Sequence, residues 1–558
     1  MRGTVEHTGD LWYNETDTEH VFTSSFTEYN MLSITYSAAT YGADGYEVTV
    51  ECSYRADFSS FEIVGLPDAA IRESEKRIFT GAASSGFPIP EGEISINLAP
   101  ADKKKEGTAI ELAVLMAVYL SCGTINFDPS DSAFIGEISF SGEIRPVRGV
   151  LGMVIAAINS GRHEIYVPAA NIREASVACR DGVRIYPAET IAALLFHLRG
   201  TEPILPADVN PYEQLEAHAS RLDFSQVKGQ ERAKRAMTIA AAGAHNILLI
   251  GPPGSGKSML SKRLPTILPR MSYEEALDST KIHSCAGMLD EETPFILERP
   301  FRSPHHSLST AALVGGGKVP APGEISLAHN GVLFLDEFPE FRKDATEALR
   351  QPIEDKYVTI TRTAGRVTYP SAFMMVCAMN PCKCGYFGSP SGKCTCKNAE
   401  IRAYLSKISG PMLDRIDIHI EMPELSFAEL SAAVPGEPSA VIRQRVEAAR
   451  DLSRDRFRTA GYEDYASRSN ALMETDELRQ FCALDEFCTR LMEDVFTKTG
   501  MSARGYDRIL RLARTIADLD AVKRGITTED GIIGGRLKKQ HLMEAVQMRA
   551  LDKKYWNV

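Results

Sequence analysis

HNILLIGPPGSGKSML, residues 245–260, passes from an apolar stretch through a glycine- and proline-built turn into a helical pattern. The turn is Gly251, Pro252, Pro253, Gly254, Ser255, Gly256, Lys257 and Ser258, with four residues between Gly251 and Gly256. That spacing, after a strand and before a helix, reads as a phosphate-binding loop. Its glycines let successive backbone N–H groups curl around a β-phosphate, and the start of the next helix adds a positive dipole end. Lys257 is expected to hold the β- and γ-phosphates of ATP and Ser258 to ligate Mg²⁺. The plain alternative is a glycine turn that binds nothing. Strand, spacing, Lys-Ser pair and helix together argue against it.

Downstream, GVLFLDEF (331–338) is a buried-type strand ending in Asp336 and Glu337. Adjacent carboxylates are usually solvated turn residues, but after a phosphate loop they belong to the carboxyl edge where such sheets bind ligands. Asp336 is expected to bind Mg²⁺ and Glu337 to polarise the attacking water. FMMVCAMN (373–380) ends a third apolar strand in Asn380, placed to position the same water or touch the γ-phosphate. Apolar runs separated by helical patterns predict a parallel sheet covered on both faces, an α/β nucleotide-binding layout.

The chain's 558 residues predict two or three domains. Residues 31–200 alternate strand-like and helix-like runs, giving an α+β or α/β unit. Residues 201–221 hold three prolines and read as a linker, 222–425 form the nucleotide-binding unit, and 426–558 carry apolar residues at helical spacing. Residues 1–30 are polar, a flexible tail or an upstream mis-start. With 44% hydrophobic residues and no long apolar run, a soluble protein without membrane contact is expected. No secretory signal opens the chain, which argues for the cytoplasm. The net charge of −12 requires any nucleic-acid contact to use a local cationic surface.

MNPCKCGYFGSPSGKCTCK (379–397) concentrates four of the eleven cysteines. Cys382, Cys384, Cys394 and Cys396 form two close pairs joined by a turn-rich loop lacking apolar residues to fold it, and predict a structural Zn²⁺ site. Two disulfides or a redox-sensitive cluster are the alternatives. KYVTITRTAGRVTYP (356–370) reads as a hairpin turning at Ala364-Gly365, with Lys356, Arg362 and Arg366 and no acid. His305-His306 is not read as a metal pair, because adjacent side chains diverge.

FRSPHHSLSTAALVGGGKVPAPGEISLAHN (301–330), leading into GVLFLDEF, resembles the magnesium-chelatase-like AAA+ ATPases of the ComM/YifB family. YGADGYEVTVECSY, FEIVGLPDAAIRESEKRI and FIGEISFSGEIRPVRGVL resemble the Lon-protease-like domain that precedes the ATPase in that family. The resemblance implies an AAA+ P-loop domain, a Lon-protease-like N-domain and a helical C-terminal lid. It places Walker A at Lys257 and Ser258, Walker B at Asp336 and Glu337, and sensor 1 at Asn380. In SGPMLDRID it places an arginine finger at Arg415, and in MSARGYDRILRLARTIADL a sensor 2 at Arg504.

An arginine finger comes from a neighbouring subunit, so a homo-hexameric ring is implied. In such a ring the hairpin, with Arg362 and Arg366, would face the pore and track DNA. A helicase driving branch migration in recombination and natural transformation, with recombination proteins as possible partners, is the function implied. A chelatase-type ATPase remodelling a protein partner is the alternative. Proteolysis is not expected: where active Lon has its serine, Lys105-Glu106-Gly107-Thr108-Ala109 has alanine, and Leu151 and Met153 occupy the candidate lysine positions.

Overall fold

The computed structural model describes residues 31–56, 59–180, 182–207, 221–289, 294–317, 320–362, 365–389, 392–425, 436–529, 531–549 and 555. The expected tail at 1–30 and most of the expected linker lie outside them.

The strand entering the phosphate loop, Ile247–Ile250, lies inside a five-stranded parallel sheet. Its neighbours are Met374–Met379 on one side and Ile418–Glu421 on the other. Beyond Met374–Met379 come Val332–Leu335 and the short Phe301–Arg302. The first strand of this sheet in chain order thus sits between its fourth and fifth, which puts the reversal of strand order at the loop carrying Lys257.

Side-chain alternation sorts the sheet into two layers. Ile247, Leu249, Val332, Phe334, Val376, Ile418 and Ile420 face one apolar cluster, with helices Glu231–Gly243, Ser439–Thr459 and Ala503–Arg524. Leu248, Ile250, Leu333, Leu335, Met375 and Cys377 face the other, with Ile282, Leu349 and Ile353. Burial on both faces explains why these strands read as continuous apolar runs. The C-terminal helices share the first cluster with the sheet.

The first part of the chain builds two larger sheets and a two-stranded one, Glu137–Ile138 with Ile144–Arg145. Met31–Tyr41, Asp44–Arg55, Glu93–Ala99 and Ser60–Val64 form one, antiparallel except for its last pair. Ser132–Phe134, Glu164–Pro168 and Arg184–Ala188 form a parallel three-stranded one. Helix Val150–Asn159 packs on the first sheet and also against helix Tyr273–Cys285 of the nucleotide-binding part. There Tyr273 Oη donates to Val177 O at 3.0 Å, Lys281 pairs with Asp44 at 2.9 Å, and Ser284 Oγ donates to the Glu174 carboxylate.

Candidate active site and cysteine cluster

The loop after Ile250 leads into a helix of only five residues, Lys257–Ser261, followed by a 3₁₀ turn at Leu264–Ile267. The sequence pattern predicts a continuing helix; Pro265, with no N–H to donate, marks the change. Gly256, with φ of 91°, opens the helix in a conformation that L side chains avoid. Lys257 is buried. Its Nζ donates to Gly251 O at 2.6 Å, Pro252 O at 2.9 Å and Asn380 Oδ1 at 3.2 Å. All three acceptors are neutral. Burial pulls this amine down to about 8, against the field of Asp336. A cation so placed favours an anion beside it.

Ser258 Oγ donates to Asp336 Oδ2 at 2.7 Å, so hydroxyl and carboxylate converge as a Mg²⁺-binding pair would. Asp336 Oδ1 accepts from the Glu337 N–H at 3.0 Å. Glu337 has a left-handed backbone, φ 52°, which turns its side chain out of the strand direction. Its carboxylate lies 3.2 Å from His306 Nδ1, and the His306 ring lies against His305, tilted by 34° with centroids 4.1 Å apart, so these adjacent side chains do not diverge as expected. Sequence reasoning missed this contact of His306. Only the docking of the 301–310 segment beside the Walker B strand brings the two together.

Arg415 and Arg504 lie elsewhere. Both line a cavity of about 380 Å³ shared with Lys356, Arg508, Arg511, Glu354 and Asp417. Asn246 and Asp417, each just before a sheet strand, put this cavity at the amino edge of the sheet, opposite the phosphate loop. Arg415 pairs with Glu354 at 2.8 Å and donates to Pro411 O at 2.8 Å, while its buried Nε has no hydrogen-bond partner. Arg504 is exposed and bonds no acid among the described residues. Burial works against the charge of Asp417, yet His245, Arg508 and Arg549 hold its carboxyl well below the usual range.

The four cysteine sulfurs converge. Cys382 Sγ is 3.3 Å from Cys384 and 3.8 Å from Cys394, Cys384 is 3.7 Å from Cys394, and all four lie within 4.8 Å of one another. All are free thiols. Sulfurs about 2.3 Å from a tetrahedral Zn²⁺ stand about 3.8 Å apart, so the set fits that ion. Burial opposes ionisation of Cys384, but the N–H groups of Tyr386 and Thr395 bring its thiol down to about 6, whereas burial and the neighbouring sulfurs push Cys394 and Cys396 up. One expectation is corrected here. The loop does have an apolar anchor: Phe387 packs on the sheet's second cluster and meets Tyr555 edge-on at 6.1 Å.

The hairpin forms as Tyr357–Arg362 paired with Gly365–Pro370; the expected turn residue Ala364 and the Arg362 side chain lie outside what is described. Val358, Ile360, Val367 and Tyr369 bury its inner face. Arg366 projects outward, and its carbonyl accepts from Tyr41 Oη at 2.5 Å, tying the hairpin to the first sheet. Lys356 does not join these cations: it lines the Arg415 cavity instead. In the N-terminal part, Ala109, Leu151 and Met153 share one apolar cluster. The buried Lys105 amine donates to Gly65 O at 3.1 Å, Leu98 O at 2.9 Å and Pro100 O, and Thr108 bonds Glu137.

Three family descriptions match in sequence: subunit ChlI of Mg-chelatase at residues 50–171, magnesium chelatase subunit ChlI at 223–430, and the ChlI C-terminal region at 436–549. YifB of Escherichia coli K12 is 39% identical over 525 residues, 94% of this chain and 98% of its own. Competence protein ComM of Haemophilus influenzae is 36% identical over 526 residues, 93% and 98% of the two chains. An archaeal Lon protease from Methanothermobacter thermautotrophicus is 31% identical over 115 residues, 20% of this chain and 18% of its own. With the phosphate loop, the acidic strand and the asparagine meeting on one sheet edge, and with likeness running almost end to end, the chain belongs to the ComM/YifB family of magnesium-chelatase-like AAA+ ATPases.

Proposed function

We propose that the protein hydrolyses ATP as a ring, a homo-hexamer by family analogy, in which each site is completed by the adjoining subunit. The observation that carries this is the split of the constellation. Lys257, Ser258, Asp336, Glu337 and Asn380 gather at the carboxyl edge of the sheet, whereas Arg415 and Arg504 share a cavity at its amino edge. Guanidinium groups on the far edge serve a neighbour's γ-phosphate in a head-to-tail assembly.

In this reading Lys257 and the backbone N–H groups of the loop hold the phosphates. Ser258 and Asp336 would hold Mg²⁺, which when bound neutralises charge on the phosphate oxygens. Glu337 takes up the proton of the attacking water, Asn380 orients that water, and the partner's two guanidiniums stabilise charge on the departing phosphate. Turnover at full rate by a chain that sediments as a strict monomer with ATP and Mg²⁺ would refute the reading.

The motor's polymer is proposed to be DNA, with branch migration during recombination as the task. The competence name of the Haemophilus relative and the outward Arg366 on the hairpin support this. The three chelatase-subunit matches favour a second reading, remodelling of a protein partner. ATPase stimulation by single-stranded or forked DNA, weakened by Arg362→Ala and Arg366→Ala, separates the two. The N-terminal part is proposed as a Lon-like assembly module without a working nucleophile, the cysteine cluster as a structural Zn²⁺ site, and the cytoplasm as the location. Among the described residues no helix is long and apolar enough to cross a membrane.

A further inference from the structure

We infer that the cysteine turn braces the phosphate-binding loop, so that metal coordination by Cys382, Cys384, Cys394 and Cys396 sets the affinity for nucleotide. The inference rests on the proposed metal and nucleotide sites and joins them.

The turn touches the nucleotide loop at both ends. At its start, Asn380 Oδ1 accepts from Lys257 Nζ at 3.2 Å. Two residues on comes the first thiol, Cys382, fully buried under the sheet edge. Gly385 follows the second thiol, Cys384, and its N–H closes the turn on Cys382 O at 3.0 Å. Gly385 has φ of 89°, and a Cβ built there would stand 2.6 Å from Pro253 Cδ and 3.0 Å from Pro253 Cγ. The backbone of the turn therefore lies against the proline ring of the phosphate loop, with no room for a side chain between them. Both thiols of the first pair fall within the span from Asn380 to Gly385.

Phe387 anchors the outer side of the loop, but the arm carrying Cys394 and Cys396 meets the first arm at the sulfurs. Gathered on one ion, four thiolates fix the separation of the arms and the pitch of the Cys382–Gly385 turn. Without the ion, the sulfurs of the two arms are joined only by weak thiol contacts at 3.7–3.8 Å, which hold that arrangement far less firmly than four metal–sulfur bonds. The contacts that then loosen are Gly385 on Pro253 and Asn380 on Lys257. Both belong to the cradle for phosphate, and so binding, rather than chemistry alone, registers the metal.

The test compares nucleotide affinity with metal content in the full-length protein. Freshly purified protein is assayed for zinc, with about one ion per chain expected. It is then stripped with a zinc-selective chelator under reducing conditions, returned to Mg²⁺ buffer, and titrated with a fluorescent ATP analogue. The Kd rises by about tenfold or more and returns when Zn²⁺ is added back, the change that about 1.4 kcal/mol produces. Gly385→Ala keeps its zinc and shows the same weakened binding. Gly392→Ala is the control: its φ is 63°, but a Cβ there meets nothing within 4 Å, so it strains the same loop without touching Pro253. That variant keeps both zinc and affinity. Equal nucleotide affinity in Gly385→Ala and Gly392→Ala, or an unchanged Kd after stripping, overturns the brace while leaving the metal site standing. Zinc-free fresh protein overturns the metal reading itself.

Discussion

Mixing two inactive variants tests the composite site directly. Lys257→Ala removes the cradle's cation, and Arg415→Ala removes a guanidinium that is worth about 10³–10⁵ in turnover where such a group acts on a phosphoryl transfer. If Arg415 serves the neighbour, an interface works wherever a subunit with intact Lys257 meets one with intact Arg415. For a fraction x of Arg415→Ala chains in a randomly assembled head-to-tail ring, the working share is x(1−x), about one quarter at equal proportions and independent of ring size. The assay is steady-state phosphate release from co-refolded mixtures across x, with each variant alone as the baseline. A curve symmetric about equal mixing, from two proteins that are each inert, is the expected result. The shared cavity sharpens the test. Arg415 and Arg504 line it together, so both enter one site from one subunit. Arg504→Ala should therefore complement Lys257→Ala, but never Arg415→Ala. Mixtures with Lys257→Ala that stay at baseline at every x, or rescue between the two arginine variants, would refute the placement.

Other perturbations read single contacts. His306→Ala frees the Glu337 carboxylate from a partly exposed contact at 3.2 Å; losing a contact of that kind, worth up to about 1 kcal/mol, should cut kcat by no more than about fivefold with nucleotide Kd unchanged. In the C-terminal helices, Asp518 is fully buried against Arg456 and Arg514, 3.0 Å from the latter, and accepts from Asn470 at 2.8 Å. Asp518→Asn leaves two buried guanidiniums short of their counter-charge and should cost about 3–5 kcal/mol in denaturant unfolding. At the contact between the N-terminal part and helix Tyr273–Cys285, burial pushes the Glu174 carboxyl up despite its bond from Ser284. A raised carboxylate binds more protons folded than unfolded, so it lowers stability as pH climbs from the unfolded value through the folded one, and the cost is full above both. Glu174→Gln should accordingly raise Tm at pH 7.5 and change it little near pH 4; the opposite order would mean that the ionised form is the favoured one.

The cradle was legible because its chemistry is contiguous with its geometry. A buried strand reads as an apolar run, and the residue that ends it must lie at the sheet edge, so Lys257, Asp336, Glu337 and Asn380 were placed by chain position alone. The cysteine pairs were legible for the same reason, being joined by one short loop. Arg415 was singled out only through family resemblance, and its companionship with Arg504 depends on how helix Ala503–Arg524 docks on the sheet, which no local pattern encodes. Lys356 shows the limit most clearly. Its charge and neighbours suggest a hairpin cation, but it caps helix Arg350–Asp355 in a left-handed conformation, φ 62°, and that one backbone turn sends it to the arginine cavity. The two-residue strand Phe301–Arg302 is too short to show a period, yet it sits where the segment bearing His306 approaches Glu337. What local sequence carries here is the carboxyl-edge half of the proposed site, whose residues end successive strands; the amino-edge cavity of Arg415 and Arg504 is a property of packed surfaces, and no local pattern encodes it.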